Sequence, residues 1–351
     1  MNSRPRRLPV RQPAAHATQP LAAQSGFSLI ELMIALVLGL VVIGGATAVF
    51  LSNKQSYRSN LALGQIQENS RIAFEMMSRD IRQAGLTGCG NLGRVANVLS
   101  NGPTSATPAW YADFAVNAIR GFDGNAADVA VTTGTGSAQR IAGTDSLMLI
   151  GVGESGASLA AHNLSTSQLT IHETNAGFEA GDLVVICDPD HAAIAQVTSL
   201  AGTVLTIAED TGTPGNCSVG LGFPSTCAGA NDYQFAVNSQ FAKLVAADWF
   251  IGNNPQGSRS LYRMTLVNSG GVPTPTAQEM VRNVTDMQIQ YHVPGSASFQ
   301  DAGALAAADW QDVDAVRVTL SFRSSDRYAG TDSAPITRQM TASVTLRNRT
   351  N

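Results

Sequence analysis

From Phe27 to Leu51 the chain is one apolar run whose single ionisable side chain is Glu31. Its 25 residues would form a helix of about 37 Å at ~1.5 Å per residue, long enough to cross a hydrocarbon layer about 30 Å thick. The periodicity then changes without stopping. Ala73, Phe74, Met77, Ile81 and Ala84 recur at spacings of three and four, while Glu68, Arg71, Arg79, Asp80 and Arg82 occupy other faces. This predicts that the helix continues in amphipathic form over 52–84 and stops at Gly85 and Gly88.

Residues 85–143 lose that periodicity; Gly, Ala, Asn, Ser and Thr dominate, with a few aromatics such as Trp110, Tyr111 and Phe114, and the segment reads as a long irregular insertion. Strands are predicted at Ser146–Val152, Gln168–Glu173, Asp182–Cys187, Ala193–Leu200 and Thr203–Ala208, the last two joined by a hairpin at Ala201-Gly202. A loop covers Asp210–Asp232. Further strands are predicted at Tyr262–Val267, Met280–Tyr291, Asp314–Phe322 and Thr337–Leu346. Val316, Val318, Leu320 and Phe322 alternate and would share one face. The expected fold class is α+β, with one long amino-terminal helix, transmembrane in its first half, packed on a mainly antiparallel β-sheet head. The expected divisions are 1–26, 27–51, 52–84, 85–143 and a β-rich head over 144–351, and no internal repeat is visible.

Charge gives this layout a direction. The whole chain carries a net −4, yet residues 1–26 hold Arg4, Arg6, Arg7 and Arg11 and no acid. Four arginines before the apolar run and none inside it keep the amino terminus cytoplasmic and send the head outward. The body has only Lys54 and Lys243 besides scattered arginines, which excludes a nucleic-acid partner, since phosphate binding needs clustered cations. Cys89, Cys187, Cys217 and Cys227 all follow the apolar segment, an even number suited to an oxidising compartment. Three pairings are open. Cys217 and Cys227, with nine residues between them across a Gly- and Pro-containing loop, are the first choice, which leaves Cys89 with Cys187.

Glu31 brings in chemistry. A carboxylate inside a membrane helix costs about 2.5–3.5 kcal/mol and persists with a partner or a function. A secretory signal peptide would place its small residues after a shorter apolar core; here Gly26 comes before it. The stretch Gly26-Phe27-Ser28-Leu29-Ile30-Glu31-Leu32 resembles the type IV prepilin, or class III signal, motif. The resemblance implies a cytoplasmic leader over 1–26, cleaved after Gly26 by a prepilin peptidase, and N-methylation of Phe27. It also makes Glu31 the assembly carboxylate, paired with the Phe27 ammonium of a neighbouring subunit. Gly39, Gly44 and Gly45 then have two readings: close packing, through the small-xxx-small pairs Ala35/Gly39 and Gly44/Ala48, or a segment that stretches or melts in a fibre.

Other motifs point elsewhere and fail on context. Gly151-Val152-Gly153-Glu154-Ser155-Gly156 fits G-x-G-x-x-G after a strand, but no phosphate-binding helix follows, so a glycine turn is expected there and no dinucleotide site. Cys187-Asp188-Pro189-Asp190-His191 is the one tight polar cluster, read as a turn before a metal site. His16, His162, His172, His191 and His292 show no ligand spacing. No catalytic residue, cofactor or metal is expected, and the chain is read as a non-enzyme.

Several longer stretches resemble the PilW family of minor pilins. They are Ser78–Gly85, Asp182–Asp188, Val281–Tyr291, Trp310 with Val313–Leu320, and Val344–Arg349. The resemblance implies a pilin-like fold and a low-abundance subunit of a minor-pilin complex that primes pilus assembly, sits at or near the tip, and supports adhesion and twitching motility. Its implied partners are other minor pilins, the major pilin, the prepilin peptidase and the inner-membrane assembly machinery, with the membrane engaged through residues 27–51. The implied location is the bacterial inner membrane, single pass with a periplasmic head, and then the pilus fibre or tip. A J-type minor pseudopilin of type II secretion is the nearest rival. A tip adhesin with contacts in the insertion and a membrane-anchored periplasmic enzyme are the rivals of other classes.

Overall fold

The computed structural model describes residues 26–89, 94–114, 118–225, 227 and 231–347. Two compact units divide between Lys54 and Gln55, inside the helix α1 (Leu29–Gln83). In the first unit the large apolar side chains from Leu29 to Leu51 stand 54–76% exposed, a surface suited to lipid or to another apolar helix and costly to leave in water. In the second unit α1 buries Ala62, Ile66, Ser70, Ala73, Met77 and Ile81, a stripe at steps of three and four. Phe74 lies at its margin, half-buried. The helix stops where Gly85 takes φ 72°, a left-handed conformation that glycine adopts without strain.

After α1 come β1 (Val95–Asn97), β2 (Ile119–Phe122), β3 (Ser146–Asn163), β4 (Gln168–Ile171), β5 (Leu183–Cys187), β6 (Ala192–Gln196), β7 (Ser199–Ala201) and β8 (Val204–Thr206). They are followed by β9 (Gln240–Asn253), β10 (Arg259–Ser269), β11 (Val272–Arg282), β12 (Val284–His292), β13 (Gln300–Asp301), β14 (Ala315–Arg323) and β15 (Thr337–Thr345). The larger sheet runs β1-β6-β5-β9-β3-β4-β8-β7, with β2 beside β3 and the β10–β11 hairpin on β9; the smaller runs β13-β12-β14-β15. The β1–β6 pair is parallel; the other ladders are antiparallel. The stripe on α1 shares one core with Trp249 and Ile251 of the larger sheet and with Met287, Ile289, Val316, Val318, Leu320 and Phe322 of the smaller. The fold is therefore α+β, a long amino-terminal helix with a sheet head.

Four details differ from the sequence expectation. Strand β9, absent from it, is the hub of the larger sheet, pairing with β3, β5 and β10; it is buried on both faces over most of its length and so shows no alternation to read. Met280–Tyr291 is not one strand, because Asn283 at φ 62° separates β11 from β12. Ala193–Leu200 likewise divides between β6 and β7. Gly151–Gly156 forms no turn. It lies within β3, whose pairing with β9 shifts register between Val152 and Gly156. Gly151 is required for a different reason: a Cβ there would lie 2.5 Å from the Gln83 carbonyl oxygen at the end of α1.

The segment 85–143 contributes β1 and β2 and is held together by a buried cation. The Arg140 guanidinium, fully buried, donates to the carbonyl oxygens of Phe122, Asp123, Ala126 and Thr144 at 2.7–3.1 Å. Four backbone acceptors, three inside the segment and one just past its end, thus converge on one side chain, which compensates for its removal from water.

Candidate processing and assembly site

The start of α1 is built by its own side chains. Ser28 precedes the helix, and its carbonyl accepts the Leu32 N–H at 3.2 Å. Its hydroxyl oxygen accepts the Glu31 N–H at 3.2 Å, while the Glu31 carboxylate accepts the Ser28 N–H at 3.1 Å and its hydroxyl at 3.3 Å. This reciprocal arrangement is a capping box, in which two backbone donors that the helix leaves unmet are satisfied locally. Its S-x-x-E signature before an apolar run was visible in the sequence, but there Glu31 was assigned only an intermolecular partner. The structure adds Ser28 to the site and an intramolecular role for Glu31. The carboxylate also sits at the positive end of the helix dipole.

Gly26 is exposed and nothing lies within 4 Å of the place a Cβ would occupy; Phe27 is 89% exposed. The peptide bond after Gly26 is thus in open backbone just outside the cap, accessible to a protease. A free amine generated at Phe27 would be one residue from Ser28 and four from Glu31, next to the carboxylate in sequence and free of any packed partner. Arg4, Arg6, Arg7, Arg11 and His16 lie outside the described residues. Gly39, Gly44 and Gly45 likewise have open space around their Cβ positions.

At its other end α1 is locked to the head. The Asp80 carboxylate accepts the Trp249 indole N–H at 2.9 Å and pairs with Arg263 Nε at 2.7 Å, joining the last turns of the helix to β9 and β10. Nothing in the local sequence distinguishes Asp80 from the exposed charges around it. Past the helix, Cys89 is bonded to Cys187 at the end of β5, and Cys217 to Cys227 within one loop.

The polar groups around Asp188, His162, His292 and Asp145 have partners within the head, whereas the Asp248 carboxylate and the Tyr291 hydroxyl are buried without a hydrogen-bond partner. Asp188 Oδ1 accepts the backbone N–H of Asp190 and of His191, and Oδ2 accepts the Tyr233 hydroxyl at 2.6 Å; burial and then Asp188 push the Tyr233 hydroxyl up to about 12. His191 stacks on Tyr233, with Nε2 2.7 Å from the Leu221 carbonyl oxygen. This is a turn closing β5 onto β6. His162 accepts the Phe235 N–H through Nδ1, and burial lowers its pKa. His292 is raised by its hydrogen bond to Asp314 at 2.7 Å. Asp145 joins the two sheets: its N–H donates to Met287 and its carboxylate accepts the Ile289 N–H, and burial raises that carboxyl to about 6.

Comparison with protein families gives two matches. Residues 21–47 match the Prokaryotic N-terminal methylation motif, which spans Gly26, Phe27 and the capping box. Residues 248–349 match the family described as Type IV Pilus-assembly protein W, a stretch that runs from the end of β9 through β15. No curated protein matches the chain.

Proposed function

We propose that the chain, which matches the Type IV Pilus-assembly protein W family over residues 248–349 and the Prokaryotic N-terminal methylation motif over residues 21–47, is a type IV pilus-related minor pilin and a structural subunit of a minor-pilin complex that primes fibre assembly. It is processed after Gly26 and N-methylated at Phe27, remains in the inner membrane with its head in the periplasm, and passes to the fibre at or near the tip, where it supports adhesion and twitching motility. Its partners are other minor pilins, the major pilin, the prepilin peptidase and the inner-membrane assembly machinery. The observation that carries this reading is the amino-terminal geometry. An exposed glycine, an exposed phenylalanine and a capped helix start bearing one carboxylate stand before an apolar surface with no cover of its own. A carboxylate entering an apolar fibre core needs a cation, and the ammonium of a neighbour's processed Phe27 has the required charge.

The capping box sharpens the test, because Glu31 could matter only for the helix end. Glu31→Ala removes both the charge and the cap; Glu31→Gln keeps the cap, since glutamine serves at this position, and removes only the charge. Each variant is scored separately for membrane-fraction protein, leader cleavage, co-purification of minor pilins and surface pili. Both are expected to be inserted and processed, and both to fail in complex formation and piliation. Normal piliation by Glu31→Gln would defeat the assembly role and leave Glu31 a helix cap.

A further inference from the structure

Strand β9 carries a carboxyl group into the interior with no donor to balance it. Asp248 is 0% exposed, and neither of its oxygens has a hydrogen-bond donor to accept from. Its neighbours Trp249 and Ile251 face the core shared with α1, so Asp248 lies on the opposite face of the sheet. The register sets it between Met148 of β3 and Met264 of β10, with Arg120 of β2 beyond Met148 and Ala277 of β11 beyond Met264. Two positions along the same strand, Phe250 packs with Tyr262 and with Val131 of the segment 85–143. That segment roofs this face.

The roof brings a second carboxyl group, Asp128, within hydrogen-bonding range of Asp248. Asp128 is fixed in place: one oxygen accepts the Ala130 N–H at 2.8 Å and the other accepts the Ser146 hydroxyl. Arg140 attracts Asp248, but its guanidinium donates to backbone carbonyls and makes no bond to it. From the smaller sheet, Tyr291 faces the charges of Asp145, Asp123, Asp248 and Arg140. Glu279 of β11, in line with Tyr262, is engaged by Ser260, Asn254 and Arg282. Two ionised carboxylates facing each other in this interior would repel with little screening, and burial alone disfavours a charge on Asp248. Burial first and Asp128 second hold Asp248 well above the ordinary carboxylate range. A single proton between the two turns the repulsion into a hydrogen bond, and that proton belongs to the pair.

We propose that this shared proton is a latch: the hydrogen bond between Asp248 and Asp128 holds residues 123–131 down on β9 and β10, and its loss in alkaline surroundings releases them. Release uncovers Phe250 and Tyr262, an apolar surface presented only when the proton is gone. The latch lies within the head and does not depend on the pilus reading.

The test is hydrogen exchange of the mature chain in detergent across a range of pH, with rates converted to opening constants for the amides of 123–131 and, as a reference, for those of β14. An opened Asp248 has the pKa of an ordinary carboxylate. Above that range, and below the pH at which the closed pair titrates, each opening therefore releases one proton. There the opening constant of the segment should gain about tenfold per pH unit over that of Asp248→Asn, and then level off. Asp145, which is raised to about 6, is present in both chains, so the difference isolates Asp248. Asp128→Asn offers an amide donor to ionised Asp248 and should move the levelling-off to lower pH, which a carboxyl raised by burial alone would not show. Equal slopes in the unaltered chain and Asp248→Asn, a levelling-off that Asp128→Asn leaves in place, or opening of β14 in step with the segment would overturn the proposal. If Asp248→Asn fails to fold, the unaltered chain decides by infrared spectroscopy: the band of protonated carboxyl groups should lose a step at the pH where the opening constant levels off, and no step there would overturn the latch.

Discussion

Removing the Asp80 carboxylate should loosen the helix from the sheet. Its two partners lie 169 and 183 residues away in sequence, and the side chains of Asp80 and Arg263 are only 15% and 20% exposed, so solvent screens the pair weakly. A hydrogen bond to a charged group contributes about 1.5–3 kcal/mol, and an indole N–H left without an acceptor costs about 1–3 kcal/mol. Arg263 would also lose its counter-ion while keeping its position near Trp249. Together these place the loss for Asp80→Ala at about 3 kcal/mol, a large part of the ~5–15 kcal/mol that holds a typical domain together. Asp80→Asn, which can still accept from the indole, should cost about half as much. The assay is denaturant unfolding of the solubilised mature chain, followed by tryptophan fluorescence and circular dichroism, with a double-mutant cycle on Asp80→Ala and Arg263→Met. A coupling energy below about 0.5 kcal/mol, the level seen for independent sites, would refute the lock, as would an Asn variant as unstable as the Ala variant.

Mass spectrometry of the mature protein should find Phe27 as the first residue, carrying an N-methyl group; an intact 1–26 segment in pilus fractions would contradict the processing site. Nonreducing peptide maps should recover Cys89 with Cys187 and Cys217 with Cys227. On the chain-entropy estimate, removing the first pair, which closes a loop of 98 residues, should cost about 4–5 kcal/mol, and removing the second, separated by 10, about 3 kcal/mol; free thiols in periplasmic material or the reverse order would count against it. Burial raises the Asp145 carboxyl to about 6 from 3.8, so between about pH 4 and 6 the folded chain binds more protons than the unfolded one. The stability contributed by that proton is complete below about pH 4 and is lost as the pH rises through 6. Asp145→Asn should flatten this part of the pH–stability curve relative to the unaltered protein, and unchanged curvature in unfolding midpoints would refute the assignment.

The features legible in the sequence are those whose physics is local. The length of an apolar run, the S-x-x-E of a helix start, the glycine that ends a helix and the i, i+3, i+4 stripe from Ala73 to Ile81 each involve residues within a few turns of one another. They specify the anchor, the cap and the buried face of α1 before any packing is known. The Ala201-Gly202 hairpin is local in the same sense, its strands meeting at Ala201 and Val204. The antiparallel strand Ala315–Arg323 was readable because one of its faces is more exposed than the other.

What tertiary structure decided are the contacts between distant segments. Strand β9 is sandwiched among β3, β5 and β10 and buried on both faces, so Phe241–Gly252 carries no polar alternation, and its alanines and Asp248 argue locally against a strand. Pro273 and Pro275 hide β11 for a related reason: proline is tolerated on an edge strand, which β11 is. Asp80 resembles its exposed neighbours until β9 and β10 bring Trp249 and Arg263 to it. Gly151 looks like part of a nucleotide loop until the end of α1 comes to lie against it. A one-dimensional pattern encodes how a segment meets water and its nearest neighbours; which carboxylate becomes a lock, and which glycine a contact, depends on chain closures between segments far apart in sequence that no local pattern records.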